Sequence, residues 1–485
     1  METKHSKFRL PNSPSRWLSG LRGLGAFFLV LISLSVNAQS LDDYLIIAAE
    51  NNPGLKAAYT RYEATLERTR QPGLPDPELQ VGFFLKPMER FMGNQQADIQ
   101  LMQMFPWFGM IGTQKEEANQ MALAQYQLFL EEKNQLMYLV KSTWYEITKI
   151  REEIGIQQEN LKILTQLETL ALIKYQAAGG SPTSLPTPAT VQKSSPSLSA
   201  GSAGMNSMAG NTSPTSPAMN SSMGGSSMAS TGSAMSEILR LRVEIKELQN
   251  TLTQLEADLE PQQIKFNQLL NRGIREEFQL PKEFAPIALE AQKLAVLDSI
   301  RSSHPMLAMY DHEMAAYDQQ ARMARLDGRP MLGAGVNYMP FTARAENGMM
   351  MGGEDMVMPM VTMTLPIYRK KVNARIKEAE LMKESAALER QKTENLLAMD
   401  WANAYRQWED AERKLQLYAE QTELTQQNLE LMSTAYTANQ ASLSDVLAVH
   451  HQFHDYQLKQ LYAVYSQYLS LAQLEMLTSS SFSLD

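Results

Sequence analysis

The stretch LPDPELQVGFFL, residues 74–85, has a counterpart in DGRPMLGAGVNYM, residues 327–339. In both stretches, turn residues that include proline lead into a short, largely apolar run, which is typical of a β-strand. A second strand-like run follows each one, at residues 97–105 and 356–365, and ends on proline and an aromatic residue. We therefore expect one β-hairpin in each half of the chain, over residues 79–105 and 331–365.

A very long helix is predicted after each hairpin, over residues 112–178 and 372–438. Apolar and small residues in both segments recur at steps of three and four, which is the period of a coiled coil. The two series align so that Tyr175 matches Tyr436. A turn and a returning helix follow each long helix, at residues 236–272 and 444–477. The sequence thus predicts a mainly α-helical fold built from a duplicated unit of long coiled-coil helices and one β-hairpin.

Residues 179–235 have no counterpart in the second half, where a tight turn joins the same two helices. Lys193 is the only charged residue of this insertion, which is rich in Ser, Gly, Asn and Pro, so we predict a disordered loop at the tip of a helical hairpin. Thioethers are soft ligands that prefer Cu(I) and Ag(I) to Zn(II). The loop is therefore either a linker with incidental methionines or a metal-binding segment, with candidate ligands Met205, Met208, Met219, Met223, Met228 and Met235.

Residues 1–38 have the basic, apolar and small-residue regions of a cleaved signal peptide. No later stretch is apolar over 18 residues, so we expect an exported chain whose only means of crossing a membrane is β-strands. The chain has no cysteine, which excludes disulfides and cysteine lipidation. The net charge of −9 argues against binding nucleic acid, and we find no catalytic or cofactor-binding motif, so we predict no enzyme and no cofactor.

The remaining boundaries divide the chain into a first repeat over residues 39–178, a link over 273–300, a second repeat over 301–477 and a tail over 478–485. His450 and His454 are four residues apart on the last helix and share one of its faces. Two interpretations stay open for this pair: packed or solvated side chains, or a weak metal contact or pH-responsive charge.

Several stretches together resemble the TolC family of outer-membrane efflux channels. Leu74-Pro75-Asp76-Pro77 resembles the start of that family's first membrane strand, and residues 105–109, FPWFG, resemble the strand exit of its heavy-metal branch, the Cus-like copper and silver channels. Residues 266–272, FNQLLNR, resemble the link between repeats, and the segment from Tyr436 to Leu447 resembles the periplasmic tip. The likeness extends over residues 41–477 apart from the insertion.

The resemblance implies a homotrimer in which four strands per chain form a twelve-stranded membrane β-barrel, continued as an α-helical tube through the periplasm. It implies location in the outer membrane of a Gram-negative-type envelope, in contact with lipid. A periplasmic adaptor protein and an inner-membrane RND-type pump would be its partners. Some relatives are lipoproteins, but this chain has no cysteine to acylate and its expected mature N-terminus is Gln39.

The same resemblance assigns roles at the tip. Tyr175, Glu237, Tyr436 and Asp445 would surround the periplasmic aperture, where three copies of each carboxylate would favour cations. Leu443 and Val446 would contact the adaptor. Some tips of this family carry an arginine that holds the aperture closed, but residues 439–442 contain no basic residue, so the sequence gives no support for that latch.

The predicted function is the outer-membrane exit channel of a tripartite efflux system, with monovalent copper or silver as the expected substrate. Two alternatives remain from the sequence: a channel of the same fold for drugs or secreted peptides, and a coiled-coil surface or adhesion protein without a barrel.

Overall fold

The computed structural model describes residues 40–90, 92–177, 226–281, 284–287, 293–346 and 348–479. The predicted signal peptide at residues 1–38 lies outside these ranges, as do most of the predicted insertion and most of the predicted tail. Among the loop methionines, Met205, Met208, Met219 and Met223 lie outside the described residues.

The duplication predicted from the sequence is confirmed, because the two halves contain the same elements in the same order. Each half has two short helices, a β-hairpin, a very long helix and a returning helix. The first half consists of α1 Leu41–Asn51, α2 Pro53–Glu67, β1 Glu78–Arg90, β2 Gly93–Phe105, α3 Met110–Ala177 and α4 Ser226–Leu269. The second consists of α5 Lys293–Ser303, α6 Pro305–Asp327, β3 Met331–Met339, β4 Phe341–Thr342, β5 Arg344–Glu346, β6 Met349–Met351, β7 Met356–Thr364, α7 Arg369–Thr437 and α8 Leu443–Thr478.

The two short helices of each half are separated by the same local structure, a capping side chain followed by proline. The Asn52 side chain accepts a hydrogen bond from the Leu55 amide, and Pro53 follows at the first helical position. In the second half, His304 Nδ1 accepts from the Met306 amide, and Pro305 takes the first position. A capping side chain followed by proline ends one helix and starts the next, because proline has no amide hydrogen to donate to the preceding turn.

The long helices α3 and α7 contain 68 and 69 residues. At about 1.5 Å per residue each spans on the order of 100 Å. The predicted period of three and four is confirmed in α7, where the buried residues from position 397 onward are separated by such steps or by their sums: Leu397, Ala404, Trp408, Ala411, Thr425 and Tyr436. In the described part of the chain, no helix combines the length and the apolar character needed to cross a membrane.

Two predicted boundaries differ from the structure by more than three residues. The returning helix of the first half begins at Ser226, ten residues before the predicted start at Ser236. The last proline of the insertion is Pro217, so nothing in residues 226–235 forbids helical backbone. The second repeat begins with α5 at Lys293 rather than at residue 301, because α5 is the counterpart of α1.

The two hairpins form one antiparallel sheet in the order β1-β2-β3-β7, with the short strand β4 also paired to β2. β2 and β3 join the two halves, from the pair Ile99–Tyr338 to the pair Phe105–Leu332. The strands β5 and β6 form a separate ribbon beyond β4. Four long strands of one chain therefore lie side by side.

An aromatic core joins the first returning helix to the helices around it. Tyr44, Trp144 and Phe266 have ring centroids 5.2–5.4 Å apart, and Phe278 lies 4.7 Å from Phe266. The neighbouring Asn267 side chain donates to the carbonyls of Ile274 and Glu276, which holds the link after α4 in place. The motif at residues 266–272 thus has the linking position that the resemblance implied.

Candidate functional site

One face of the four-stranded sheet is apolar and exposed. Cross-strand pairing places Leu79, Leu101 and Val336 in one row and Val81, Ile99, Tyr338 and Val357 in the next. Phe83 and Val361, on the same face, are 76% and 84% exposed. An apolar surface of this extent marks an interaction with lipid or protein rather than a surface in water.

The opposite face is polar, because side chains alternate between the two sides of a strand. Gln80, Gln100 and Asn337 lie in one row across β1, β2 and β3, and Asp98 lies in the neighbouring row opposite Gly82. Asn337 is 5% exposed. The sheet therefore has one face suited to hydrocarbon and one suited to water.

The sheet ends on β1 at one side and on β7 at the other. Within the described part of the chain, each of these strands has a pairing partner on one side only. Unpaired amide and carbonyl groups cost several kcal/mol each in hydrocarbon, so a strand edge in a membrane needs another strand beside it.

The opposite end of the molecule is the tip, where α7 turns into α8. Asn439 takes a left-handed backbone conformation, with φ of 58°, and its amide donates to the Tyr436 carbonyl. Ser442 and Asp445 then form a capping box, in which each side chain accepts a hydrogen bond from the backbone amide of the other. A hydrogen bond from the Ser442 hydroxyl, and then the one from the Ser442 amide, lower the pKa of the Asp445 carboxyl group. The chain thus reverses direction in a tightly specified turn.

The tip has its own apolar core, formed where α3 and α4 meet α7 and α8. Leu443 and Val446 are 2% and 0% exposed in this core, beside Tyr436. Both side chains are enclosed by neighbouring helices, and their contact with an adaptor stays a prediction. The exposed residues of the same turn are polar: Asn439, Gln440, Ser442, Ser444 and Asp445.

The four predicted aperture residues all lie at the tip. Tyr436 is buried, Tyr175 and Glu237 are half-buried, and Asp445 is exposed. Burial, followed by the nearby Glu237 carboxylate, raises the pKa of Tyr436. The structure thus brings Glu237 close to Tyr436, while Asp445 serves as a helix cap.

Sequence reasoning missed Lys174, the residue before Tyr175. Its ammonium group lies 3.9 Å from the centroid of the Tyr436 ring and donates a hydrogen bond to the Tyr436 carbonyl. This cation therefore joins α3 of the first repeat to the end of α7 in the second. The equivalent position in α7 is Ala435, and this asymmetry between the repeats was the available signal.

The two predicted histidines line one cavity of about 170 Å³ between α3, α4 and α8. His450 is 2% exposed, and neither ring nitrogen has a hydrogen-bond partner among the described residues. His454 Nε2 lies 2.9 Å from Gln157 Oε1, and His451 Nε2 lies 3.3 Å from Glu244 Oε1. Within the described ranges, no group of three or more His, Cys, Asp or Glu side chains is arranged to hold a metal ion. The metal contact at His450 and His454 stays a prediction.

The His450 cavity makes stability depend on pH. Burial, and then the neighbouring His454 and His451, lower the pKa of His450 to about 4. An unfolded histidine titrates near pH 6.5. Between about pH 6.5 and 4 the unfolded chain therefore binds a proton at this position and the folded chain does not. The folded state is thus fully stable above this window and loses stability as the pH falls through it.

When the pH is lowered from 7.5 to 5, we expect the free energy of unfolding to fall by about 2 kcal/mol more in the wild-type protein than in His450→Leu. Chemical unfolding of the wild-type and variant proteins at both pH values measures the difference. The buried His304, whose pKa burial also lowers to about 4, remains in both proteins and cancels in the comparison. An equal loss of stability in the two proteins on acidification would contradict this assignment.

Residues 296–480 match the family described as outer membrane efflux protein, so the second repeat carries that family's sequence pattern. No curated protein matches the chain. The solved structures with the same fold include the outer membrane protein VceC of Vibrio cholerae, at 13% identity and a TM-score of 0.65, covering 91% of this chain and 97% of VceC.

Two further structures share the fold. The open state of the MtrE outer membrane channel of Neisseria gonorrhoeae has 16% identity and a TM-score of 0.61, and the match covers 91% of this chain and 89% of MtrE. CusC, whose structures concern folding and transmembrane channel formation, has 14% identity and a TM-score of 0.59, with 91% and 92% covered. The duplicated fold with long helices and one sheet is therefore the fold of outer-membrane channels.

Proposed function

We propose that the protein is the outer-membrane exit channel of a tripartite efflux system and that it exports monovalent copper or silver. The main observation in support of a channel is the sheet, which in the described part of the chain has one exposed apolar face, one polar face and two open edges. In a homotrimer, β7 of each chain would pair with β1 of the next and leave no edge in lipid. The closed twelve-stranded barrel would turn its polar face toward a water-filled lumen.

The helices would extend the barrel through the periplasm. A length on the order of 100 Å is suited to crossing that compartment and reaching an adaptor protein, which would connect the channel to an RND-type pump in the inner membrane. The polar residues of the turn, Ser444 and Asp445 among them, join Leu443 and Val446 as the proposed adaptor contact. Tyr175, Glu237, Tyr436 and Asp445 keep their proposed place around the aperture.

The copper or silver substrate is supported by the methionine content, 31 residues in a chain without cysteine. Thioethers bind soft monovalent ions and are not lost to disulfide formation in an oxidising compartment. The methionines of the insertion remain proposed ligands that would collect such ions near the aperture, since attachment to the channel raises their local concentration. Met228 and Met235 would do so from α4.

The assembled protein is expected to be a trimer in the outer membrane, with no membrane-inserted monomer, because one four-stranded sheet leaves two edges unpaired. Native mass measurement after detergent extraction and heat-dependent mobility on gels test this. A monomeric mass would contradict the channel and favour a coiled-coil surface protein.

The substrate is tested separately by the metal and drug tolerance of a strain that lacks the protein. We expect sensitivity to copper and silver to rise while tolerance of zinc and of a drug panel stays unchanged. Sensitivity to drugs alone would indicate a channel of the same fold that serves organic substrates.

A further inference from the structure

The methionines of the sheet are unevenly divided between its two faces. Seven of the eight methionines in β2, β3 and β7 lie on the polar face, and only Met363 lies on the apolar face. In β7, for example, Met356, Met358 and Met360 alternate with Val357, Pro359 and Val361. Methionine is therefore placed where the neighbouring residues are polar.

This distribution is the reverse of what a purely hydrophobic role predicts. Methionine as a flexible apolar residue would be expected on the lipid-facing side, where this sheet instead uses leucine, valine, isoleucine and phenylalanine. On the polar face its neighbours are Gln100, Asn337 and Thr362. A thioether among such residues is useful as a ligand atom, because it is the soft donor on a water-facing surface.

Two glycines in β3 make room for these sulfurs. Met102 lies directly across from Gly335 on one side, and Met360 lies across from the same glycine on the other. A Cβ on Gly335 would stand 3.1 Å from Met102 Sδ. A Cβ on Gly333 would stand 2.5 Å from Met104 Sδ and 3.4 Å from Met102 Sδ. The space above β3 is thus occupied by thioether sulfurs from β2.

The surroundings of these sulfurs favour a cation. The Thr362 hydroxyl lies 3.8 Å from Met102 Sδ, as a weak donor to it. One row away, the Asn337 side-chain oxygen has no hydrogen-bond partner in the described part of the chain. Asp98 lies on the same face, two rows further along β2. An unpaired acceptor, the Asn337 oxygen, therefore lies one row from a group of neutral, soft ligands.

We infer that Met102, Met104 and Met360 form a thioether site for a soft monovalent cation, Cu(I) or Ag(I), on the polar face of the sheet, with Met358 beside it. Met360 completes the site by reaching over Gly335, since strands two apart are about 10 Å distant and a methionine side chain from each covers half of that gap. The inference rests on the proposed function, because this face lines a lumen only if the sheet is part of a closed barrel. Neutral ligands hold such an ion without trapping it, which suits a passage.

The test is Ag(I) binding to the purified trimer in detergent. The six insertion methionines are changed to leucine in every sample, so that they contribute nothing to the signal. Against this background, Met102→Leu with Met104→Leu and Met360→Leu is compared with Met363→Leu, which removes a thioether from the apolar face. Leucine is close to methionine in volume, so the fold is retained, and trimer mass verifies this for each protein.

We expect the triple variant to bind Ag(I) about tenfold more weakly or not at all, and Met363→Leu to bind like the background protein. Silver-edge X-ray absorption should show sulfur neighbours in the background protein and lose them in the triple variant. Equal silver affinity in the triple variant and the background protein, or an absence of sulfur neighbours in the background protein, overturns the inference. Neither result depends on efflux, whereas a non-trimeric protein or an unchanged deletion strain counts against the proposed function.

Discussion

Leu101→Arg is expected to abolish assembly of the trimer in the outer membrane, while Gln100→Arg is expected to assemble. The two positions are adjacent in β2 and have opposite surroundings. Leu101 lies between Leu79 and Val336 on the apolar face, whereas Gln100 lies between Gln80 and Asn337 on the polar face. The pair introduces the same charge at nearly the same depth and differs in the face that receives it.

The size of the effect follows from the cost of arginine on the lipid side of a barrel, about 2–4 kcal/mol at the centre of the bilayer. A trimer carries three copies, so the total is on the order of 10 kcal/mol, which exceeds the stability of many folded domains. An arginine at position 100 would remain in water and would cost little.

Fractionation of the envelope, followed by gels of unheated samples, measures the outcome. We expect Gln100→Arg to give an outer-membrane trimer at the wild-type level and Leu101→Arg to be degraded or found in the periplasm. Equal recovery of both variants would mean that the apolar face does not contact lipid, and a loss of both would point to the strand itself rather than to its faces.

The sequence was sufficient for the two hairpins, the long and returning helices, and their duplication. Hairpins and long helices have local signals, namely alternation, a period of three and four, and proline at the junctions, as at Pro106 and Pro366. The pairing of β2 with β3 has no such signal, because Phe105 and Leu332 are far apart in the chain and come together only through the packing of both repeats. The order of the strands therefore required the structure.

The methionines illustrate the same limit. Alternation in β7 is visible in the sequence, since Met356, Met358 and Met360 are two residues apart. Which side of the sheet they share was unknown until the register placed Met358 opposite Asn337 and Met360 opposite Gly335. A pattern of period two defines two faces, and only the neighbouring strands identify the polar one.

At the tip, local reasoning gave the turn correctly but did not show that its apolar side chains are buried. Ser442 and Asp445, which the structure shows as a capping box, were not predicted as such from the sequence. Leu443 and Val446 are apolar at the start of a helix, which fits either an exposed docking surface or a core. Leu443 and Val446 are part of a core because α3 and α4, which come from the other repeat, enclose this turn.

That burial gives the second large effect. Val446→Asp is expected to unfold the tip, because it removes a fully buried side chain and puts a carboxylate among Tyr436, Leu447 and Ile238. An unpaired charge in such a core costs about 4 kcal/mol or more. Ser444→Asp is the matched control, since it introduces the same side chain two residues earlier at an exposed position in the first turn, where a negative charge suits the helix dipole.

The damage from Val446→Asp should stay local, because the aromatic core around Tyr44, Trp144 and Phe266 is separate from the core of the tip. We therefore expect the variant to remain a trimer with an intact sheet, while amide exchange and protease cleavage rise within the segment from Tyr436 to Leu447. We also expect Val446→Asp to abolish efflux, since this turn forms the surface proposed to contact the adaptor. Ser444→Asp should keep wild-type protection. If Val446→Asp leaves exchange at the tip unchanged, the residue is not enclosed by the four helices, and an exposed contact role for Val446 would regain its support.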